Sequence, residues 1–348
     1  MRILQINTEK GWRGGERQTL YNIRGFLEQG HHVALVCRQG EPLSEKCRGL
    51  PCEQFTVNTD FHAFLKIAQI GRNYDILHAQ TSGSQLAAVL ASLWNSKPVV
   101  YSRRVDFVPK GFLTKLKYDR TKRVVAISEA IRKIMTQFGV RETEVISDIA
   151  FPFVPNRQRA EKLAEASISE GKRIIGTMAA LVPHKDPLNM VRAISELAQR
   201  RDDFVFLHFG EGVMREEMVR EIEKCNIGHC YKLMGFIPDA EDLFSILEVF
   251  AMSSREEGLG SSVLDAFLQR VPVASTSAGG LKELVEGRGL LCDVEDSLGL
   301  ALCIHEILGN SQLAEDLKVL GFKAASENYS IREITNKYLK VFEEVKSQ

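Results

Sequence analysis

At 348 residues, with 44% hydrophobic and 26% charged side chains, the chain exceeds one ordinary domain and suits two globular ones. Nothing approaches the ~18 consecutive apolar residues of a membrane-crossing helix, and the start, Met1-Arg2-Ile3-Leu4-Gln5-Ile6-Asn7, reads as a strand, not a leader peptide. The zero net charge hides an asymmetry: residues 1–150 carry 22 Lys+Arg against 14 Asp+Glu, about +8, and the remainder about −8. A basic first half is expected to face something anionic, the plain alternative being solvated faces. Seven scattered cysteines without a Cys-x-x-Cys pair argue against a disulfide framework or zinc site and fit a reduced, cytoplasmic setting.

Apolar runs at Ile3–Ile6, His32–Cys37, Ile76–His78, Val99–Tyr101 and Val124–Ile127 alternate with helical stretches such as Arg17–Leu27 and Gln85–Leu93. That spacing predicts βαβ units and a mostly parallel sheet, buried on both faces where strands read Val124-Val125-Ala126-Ile127. Phe151-Pro152-Phe153-Val154-Pro155 interrupts the pattern, because two close prolines suit neither a helix interior nor a central strand. With the charged, Ala-rich stretch after it, 151–171 is expected to be an interdomain linker between domains at 1–150 and 172–328. Strands then recur at Arg173–Thr177, Phe204–Phe209, Tyr231–Met234, Val249–Met252 and Val271–Ser275, and the last ~50 residues read as helix. Two doubly wound α/β domains in series place ligands at the carboxyl ends of strands, at the cleft between them.

The stretch richest in chemistry is Ser253-Ser254-Arg255-Glu256-Glu257-Gly258-Leu259-Gly260-Ser261-Ser262-Val263-Leu264-Asp265. A strand enters a glycine-punctuated loop and a helix leaves it, so the backbone can approach a ligand and the helix-start amides attract phosphate. Glu257 can reach a sugar, and Asp265, eight residues on, can accept from ribose hydroxyls. Taken alone, it could equally be an ordinary strand–loop–helix turn.

This stretch resembles the Glu-x7-Glu motif of glycosyltransferase family 4, retaining enzymes of the GT-B fold, and is similar to bacterial lipopolysaccharide-core transferases. Further blocks follow in order over the whole chain. Gly11-Trp12-Arg13-Gly14-Gly15-Glu16 looks like the loop whose glycine amides face the donor phosphate; Gly176–Lys185 looks like the block whose lysine contacts the diphosphate. Phe209-Gly210-Glu211-Gly212 resembles a turn near the nucleotide, and Gly235-Phe236-Ile237-Pro238 the strand-end block lying against the base. Ser277-Ala278-Gly279-Gly280 completes the series.

The resemblance implies two facing Rossmann-like domains, with a terminal helix (329–348) crossing back to the first. It implies a retaining hexosyltransferase that moves a sugar from a nucleotide-diphosphate sugar, UDP by default, to a glycan or glycolipid hydroxyl in cell-envelope or lipopolysaccharide synthesis. Alternatives are a sugar-nucleotide epimerase of the same fold and a degenerate, non-catalytic donor-binding protein. No cofactor or metal is expected: no Asp-x-Asp motif stands at the usual place, and Lys185 with helix-start amides can stabilise the leaving diphosphate. The chain departs from the pattern at Asp265, usually Glu, and at Ala180, where an arginine is usual. Arg103 and Arg104, after the strand Val99–Tyr101, are candidate substitute cations, or members of a solvated loop. The expected catalytic set is therefore Glu257, Lys185, Arg103 and Arg104. Donor contacts are expected from Gly14, Gly15, Gly210, Gly212, Gly235, Phe236, Gly258, Leu259, Gly260, Ser261, Ser262 and Asp265. Acceptor contacts are expected from His78, Arg103 and Asp106, with His78 readable equally as a satisfied core histidine.

Residues 103–123 hold eight Lys+Arg against two Asp, interleaved with Phe107, Val108, Phe112, Leu113 and Leu116. This pattern suits peripheral contact with an anionic inner membrane leaflet and a lipid-linked acceptor, or simply a solvated helix. No nucleic-acid motif accompanies the charges.

Overall fold

The computed structural model describes residues 1–165 and 171–347, and the chain divides into two compact units, Met1–Phe151 with Tyr329–Gln348, and Pro152–Asn328. In the first, β1 (Arg2–Asn7), α1 (Gly14–Glu28), β2 (His32–Arg38), α2 (Pro42–Lys46) and β3 (Glu53–Val57) are followed by α3 (Asp60–Ile70), β4 (Ile76–Ala79), α4 (Ser82–Asn95) and β5 (Val99–Arg103). Then come α5 (Phe112–Asp119), β6 (Arg123–Ala126), α6 (Glu129–Gln137) and β7 (Thr143–Val145). The strands form one parallel sheet in the order β3-β2-β1-β4-β5-β6-β7. The most buried strands, β1, β4 and β5, are at its centre. β3 and β7, which the apolar-run reading passes over, are its short, half-exposed edges.

The second unit runs α7 (Arg157–Ala164), β8 (Arg173–Met178), α8 (Pro187–Ala198), β9 (Phe204–Phe209), α9 (Arg215–Lys224), β10 (Tyr231–Gly235) and β11 (Val249–Met252). It continues with α10 (Ser261–Leu268), β12 (Val273–Thr276), α11 (Gly280–Val285), β13 (Leu290–Cys292), α12 (Ser297–Gly309) and α13 (Ser311–Asn328). Its parallel sheet has the order β10-β9-β8-β11-β12-β13. The expectation of a linker over 151–171 is corrected here. α7 is a packed element of the second unit, with Asn156 as N-cap and Ala160 and Ala164 fully buried. Arg159 Nη1 fastens it 2.6 Å from Asp242 Oδ2 and 2.8 Å from the Asp239 carbonyl. Two alanines four apart make the small, flat helix face that lets these backbones approach, a pattern that composition alone reads as linker. Residues 166–170 of that stretch lie outside the described residues.

The final helix, α14 (Ile331–Lys346), completes the first unit. Ser330 caps it, accepting from the Glu333 amide at 3.3 Å, and Ala150 N donates to Tyr329 O at 2.8 Å where the helix enters. Ile334, Tyr338, Phe342 and Val345 are spaced for one face and join Ile3, Phe26, Ile76 and Val100 in a single core. The Phe26 and Phe342 rings lie 5.5 Å apart. α1 and α14 approach closely at Gly25, where a Cβ would fall 2.1 Å from Thr335 Oγ1. Gly25→Val therefore wedges α14 outward and should destabilise the first unit by about 1–3 kcal/mol, read as a fall in its melting temperature.

Candidate active site

In a doubly wound sheet, ligands bind where strand order reverses, outside the strands' carboxyl ends. In the second unit this point lies between β8 and β11, whose following loops carry Lys185 and Glu257. The two side chains form a half-buried ion pair, Lys185 Nζ to Glu257 Oε2, with Ser254 Oγ 3.4 Å from the same oxygen. Several bonds lock the loops to each other. Ser253 Oγ donates to the Lys185 and Asp186 carbonyls at 3.1 and 2.9 Å. The Arg255 and Glu256 amides donate to His184 O at 2.9 and 3.2 Å. Arg255 Nε bridges Asp186 Oδ2 at 2.7 Å and Glu295 Oε1 at 2.9 Å. Buried Asp186, in the left-handed region at φ 44°, caps α8.

The glycines are required by backbone approach. A Cβ on Gly280 would stand 2.2 Å from Gly258 O, and one on Gly279 2.3 Å from Glu257 O, while Gly280 N donates to Glu257 O at 2.9 Å. The β12–α11 turn thus clamps the backbone of the Glu257 loop from behind. Gly260, at φ 93°, opens α10, whose first amides have no intrahelical acceptor. Gly258, Leu259 and Gly260 are buried beneath this turn, and Ser261 and Ser262 are half-buried at the helix start. Asp265 lies deeper than expected: it is 4% exposed and already engaged within the protein.

Gly210 and Gly212 serve the neighbouring loop, since their Cβ atoms would lie 2.0 Å from Ala179 O and 2.3 Å from Leu181 O. Gly235, at φ 74°, accepts from Gly210 N at 2.9 Å and leaves the next ring, Phe236, largely exposed. Ala180 is exposed on the same loop. Beneath it sits His208, which the sequence reading passed over. Its Nε2–H donates to Ala179 O at 3.2 Å, so Nδ1 accepts from the Tyr231 hydroxyl at 2.7 Å. Burial holds His208 neutral, its pKa lowered from 6.5 to about 4.

In the first unit the reversal lies between β1 and β4. After β1, Gly14 and Gly15 open α1, and Glu16 Oε2 reaches back to Arg13 N at 3.0 Å. Burial raises the Glu16 pKa. A Cβ on Gly15 would meet nothing within 4 Å, so packing does not demand glycine there.

The expected roles of His78, Arg103 and Arg104 need correction. His78 is fully enclosed: Gln5 Nε2 donates to Nδ1 at 2.9 Å, and Nε2 donates to Ser102 Oγ at 2.8 Å, which in turn meets the Tyr338 hydroxyl at 2.8 Å. It is a satisfied core histidine, kept neutral by burial and by the Arg104 charge. Arg103 is 2% exposed, with Nη1 2.6 Å from the Tyr118 hydroxyl, Nη2 on the Phe107 carbonyl, and its guanidinium 5.1 Å from the Phe107 ring. It folds the 104–111 loop onto α5 and offers no charge to a ligand. Arg104 Nε pairs with Asp148 Oδ1 at 3.0 Å and Nη1 donates to Gln80 Oε1 at 2.6 Å. A guanidinium taken from water is held by such partners, not left free. Asp106 is half-buried in the same loop and engaged within the protein. Among the described residues, no cluster of three or more His, Cys, Asp or Glu could hold a metal, and no helix is long and apolar enough to cross a membrane.

The switch point of the second unit thus brings a lysine, a carboxylate and helix-start amides together, and comparison with known proteins gives the class of the chain. Residues 158–323 match the family described as glycosyl transferases group 1, and residues 12–147 match Glycosyltransferase Family 4. The chain belongs to glycosyltransferase family 4, with the GT-B architecture of two Rossmann-like domains. It is 33% identical over 118 residues to the 2-deoxystreptamine glucosyltransferase of Streptomyces kanamyceticus, a match covering 33% of this chain and 30% of that one. It is 25% identical over 283 residues to the 2-deoxystreptamine N-acetyl-D-glucosaminyltransferase of Niallia circulans (71% and 70% covered). Lipopolysaccharide core biosynthesis glycosyltransferase LpsE of Rhizobium meliloti is 25% identical over 233 residues (66% of each). Anabaena HepE, solved with UDP and glucose, superposes with a TM-score of 0.84 at 19% identity, covering 99% of this chain and 100% of that one. TarM of S. aureus does so at 0.79 and 13%, with 98% of each chain covered.

Two histidines held neutral inside the sheets link stability to pH. The His208 pKa is lower folded than unfolded, so its contribution is intact above about 6.5 and is lost as pH falls toward about 4. Between pH 7 and pH 4.5 the unfolding free energy, read by denaturant titration, should therefore fall less steeply for His208→Gln than for the unaltered protein, by roughly 2–3 kcal/mol at most.

Proposed function

We propose that the chain is a retaining hexosyltransferase that uses a nucleotide-diphosphate sugar, UDP-linked by default, without a metal. The observation that carries this reading is the Lys185–Glu257 pair beside the opening turn of α10. Diphosphate would draw Lys185 from Glu257 and receive the free α10 amides, while the released Glu257 carboxylate accepts from sugar hydroxyls. The exposed Phe236 ring offers a face to the base, and Gly15 leaves room at the start of α1. Asp265, buried and already engaged within the protein, would meet ribose only by giving up its present partner. In the reaction the bond from the anomeric carbon to the diphosphate oxygen breaks, and the acceptor oxygen bonds that carbon on the same face. Its proton passes to the departing phosphate, so no second carboxylate is needed. The acceptor is a glycan or lipid-linked glycan of the cell envelope. LpsE bears the name of a lipopolysaccharide core enzyme, and the basic 103–123 segment suits an acceptor at an anionic membrane.

A donor-binding protein without turnover is the second reading, favoured by Ala180 where the family resemblance places an arginine. Turnover separates the two. A nucleoside diphosphate should raise the melting temperature equally with and without EDTA, and slow hydrolysis of its sugar conjugate should release the sugar with its anomeric configuration retained, read by proton NMR. Shift without hydrolysis selects the second reading; inverted product or EDTA sensitivity rejects the first. Lys185→Ala should lower kcat/KM by about 10²–10³-fold with the fold intact by circular dichroism.

A further inference from the structure

In the first unit, α3, α4 and α5 connect β3 to β4, β4 to β5 and β5 to β6, and right-handed crossovers put all three on the same face of the sheet. They are stitched side by side. Phe61 and Phe64 of α3 lie 6.0 Å apart, and Phe64 meets Trp94 of α4 at 5.5 Å. On the other flank, Gln85 Nε2 of α4 donates to Thr121 Oγ1 at 3.0 Å and Lys117 Nζ of α5 to Ser82 Oγ at 2.7 Å.

The outer surface of this layer is apolar where a solvated layer would be polar. Phe61 and Trp94 are each 65% exposed, Phe112 81% and Leu113 79%. Leu65, Leu86, Leu90, Leu93 and Leu116, on the same three helices, are 40–56% exposed. Scattered single exposed apolar residues are ordinary, but a run across three adjacent helices is not. Without the enclosed Arg103 and Arg104, the same span, residues 60–122, still carries eight Lys+Arg against four Asp+Glu. Two copies of this face would bring like charges together, whereas an anionic surface complements them. Bulky apolar and aromatic groups with cations between them are what a bilayer interface accepts: rings enter the headgroup–acyl boundary and ammonium groups stay with the phosphates.

We infer that the outer surface of α3, α4 and α5 is a membrane-docking face that seats on an anionic lipid bilayer, with Phe61, Trp94, Phe112 and Leu113 as inserting side chains. The inference deepens the membrane reading of 103–123 given above and rests on it only for α5. The α3–α4 half is carried by its own exposed rings, and docking requires no donor.

The chain has two tryptophans, Trp12 and Trp94, so Trp12→Phe makes Trp94 the sole reporter in the full-length protein. On phosphatidylcholine vesicles containing phosphatidylglycerol, Trp94 emission should shift to the blue and be quenched by lipids brominated along the acyl chain; on phosphatidylcholine alone it should not change. In vesicle flotation, Phe61→Ser with Leu93→Ser should weaken partitioning by about tenfold or more. Trp94 emission unmoved by anionic vesicles overturns the inference, as does flotation of the double variant equal to that of the unaltered protein. A Trp94 shift that follows protein concentration without lipid, with a dimer in sedimentation, replaces the bilayer with a second copy. The nucleotide-induced melting shift is measured on the same preparations. Its persistence beside failed flotation removes docking alone, whereas its loss removes the transferase reading and leaves docking standing.

Discussion

In a parallel sheet every strand points its carboxyl end to the same edge, and helices must return along the faces to start the next strand. Where the order reverses, the loops leaving two neighbouring strands turn to opposite faces and leave a notch. Both units have one such reversal, between β1 and β4 and between β8 and β11. At the second, the turns after β9 and β12 lie against the loops after β8 and β11. That approach is possible only because Gly210, Gly212, Gly279 and Gly280 carry no Cβ where backbone carbonyls lie within 2.3 Å of the place one would occupy. Side chains there would push the loops apart and separate Lys185 from Glu257. The chemistry of the site thus follows from close backbone approach, and only then from charge.

The charges themselves divide into two kinds. Lys185 and Glu257 are half-buried and held mainly by each other, so a ligand with stronger charge can take either one. Arg104 and Asp148 face a different situation, being enclosed with Gln80 and beside the His78–Ser102–Tyr338 chain. A buried pair of that type loses more when one partner leaves than it gains from being formed, and it fixes the geometry of the strand ends around it. Exposure, not residue type, separates the cation available to a phosphate from the cation that shapes the fold.

Much of this was legible beforehand. Near-continuous apolar strands mark the sheet centres, the glycine-rich turns mark the notches, and the three-to-four spacing of Ile334, Tyr338 and Phe342 marks α14. What escaped did so for physical reasons. β3 and β7 are edge strands, half-solvated, and lack the unbroken apolar run that identifies an interior strand, while β13, at the other sheet's edge, is only three residues long. α7 hid behind a linker-like composition because its buried face is two alanines. Arg103 was assigned to a ligand, and His78 left open between ligand and core, because their satisfying partners are unpredictable from the local sequence; Tyr338, at the end of the His78 chain, lies 236 residues beyond Ser102. The exposed layer on α3 and α4 was hidden for a related reason. Phe61 and Leu65, or Leu86, Leu90 and Leu93, have the spacing of a core-facing stripe, and spacing cannot say whether a helix face turns inward.

The seating of α14 against α1 bears on how the chain is made. A ribosome delivers residues 1–151 first, yet their core lacks Ile334, Tyr338, Phe342 and Val345 until nearly two hundred residues more have emerged. During that interval the groove beside Gly25 is bare, and the Ser102 hydroxyl waits without its tyrosine. The second unit is contiguous, Pro152–Asn328, and has all its core residues before α14 exists. Vectorial synthesis therefore favours an order in which the later-made unit reaches its native core first and the earlier-made unit is sealed last. For some seconds each nascent chain carries an apolar stripe that only its own tail is shaped to cover.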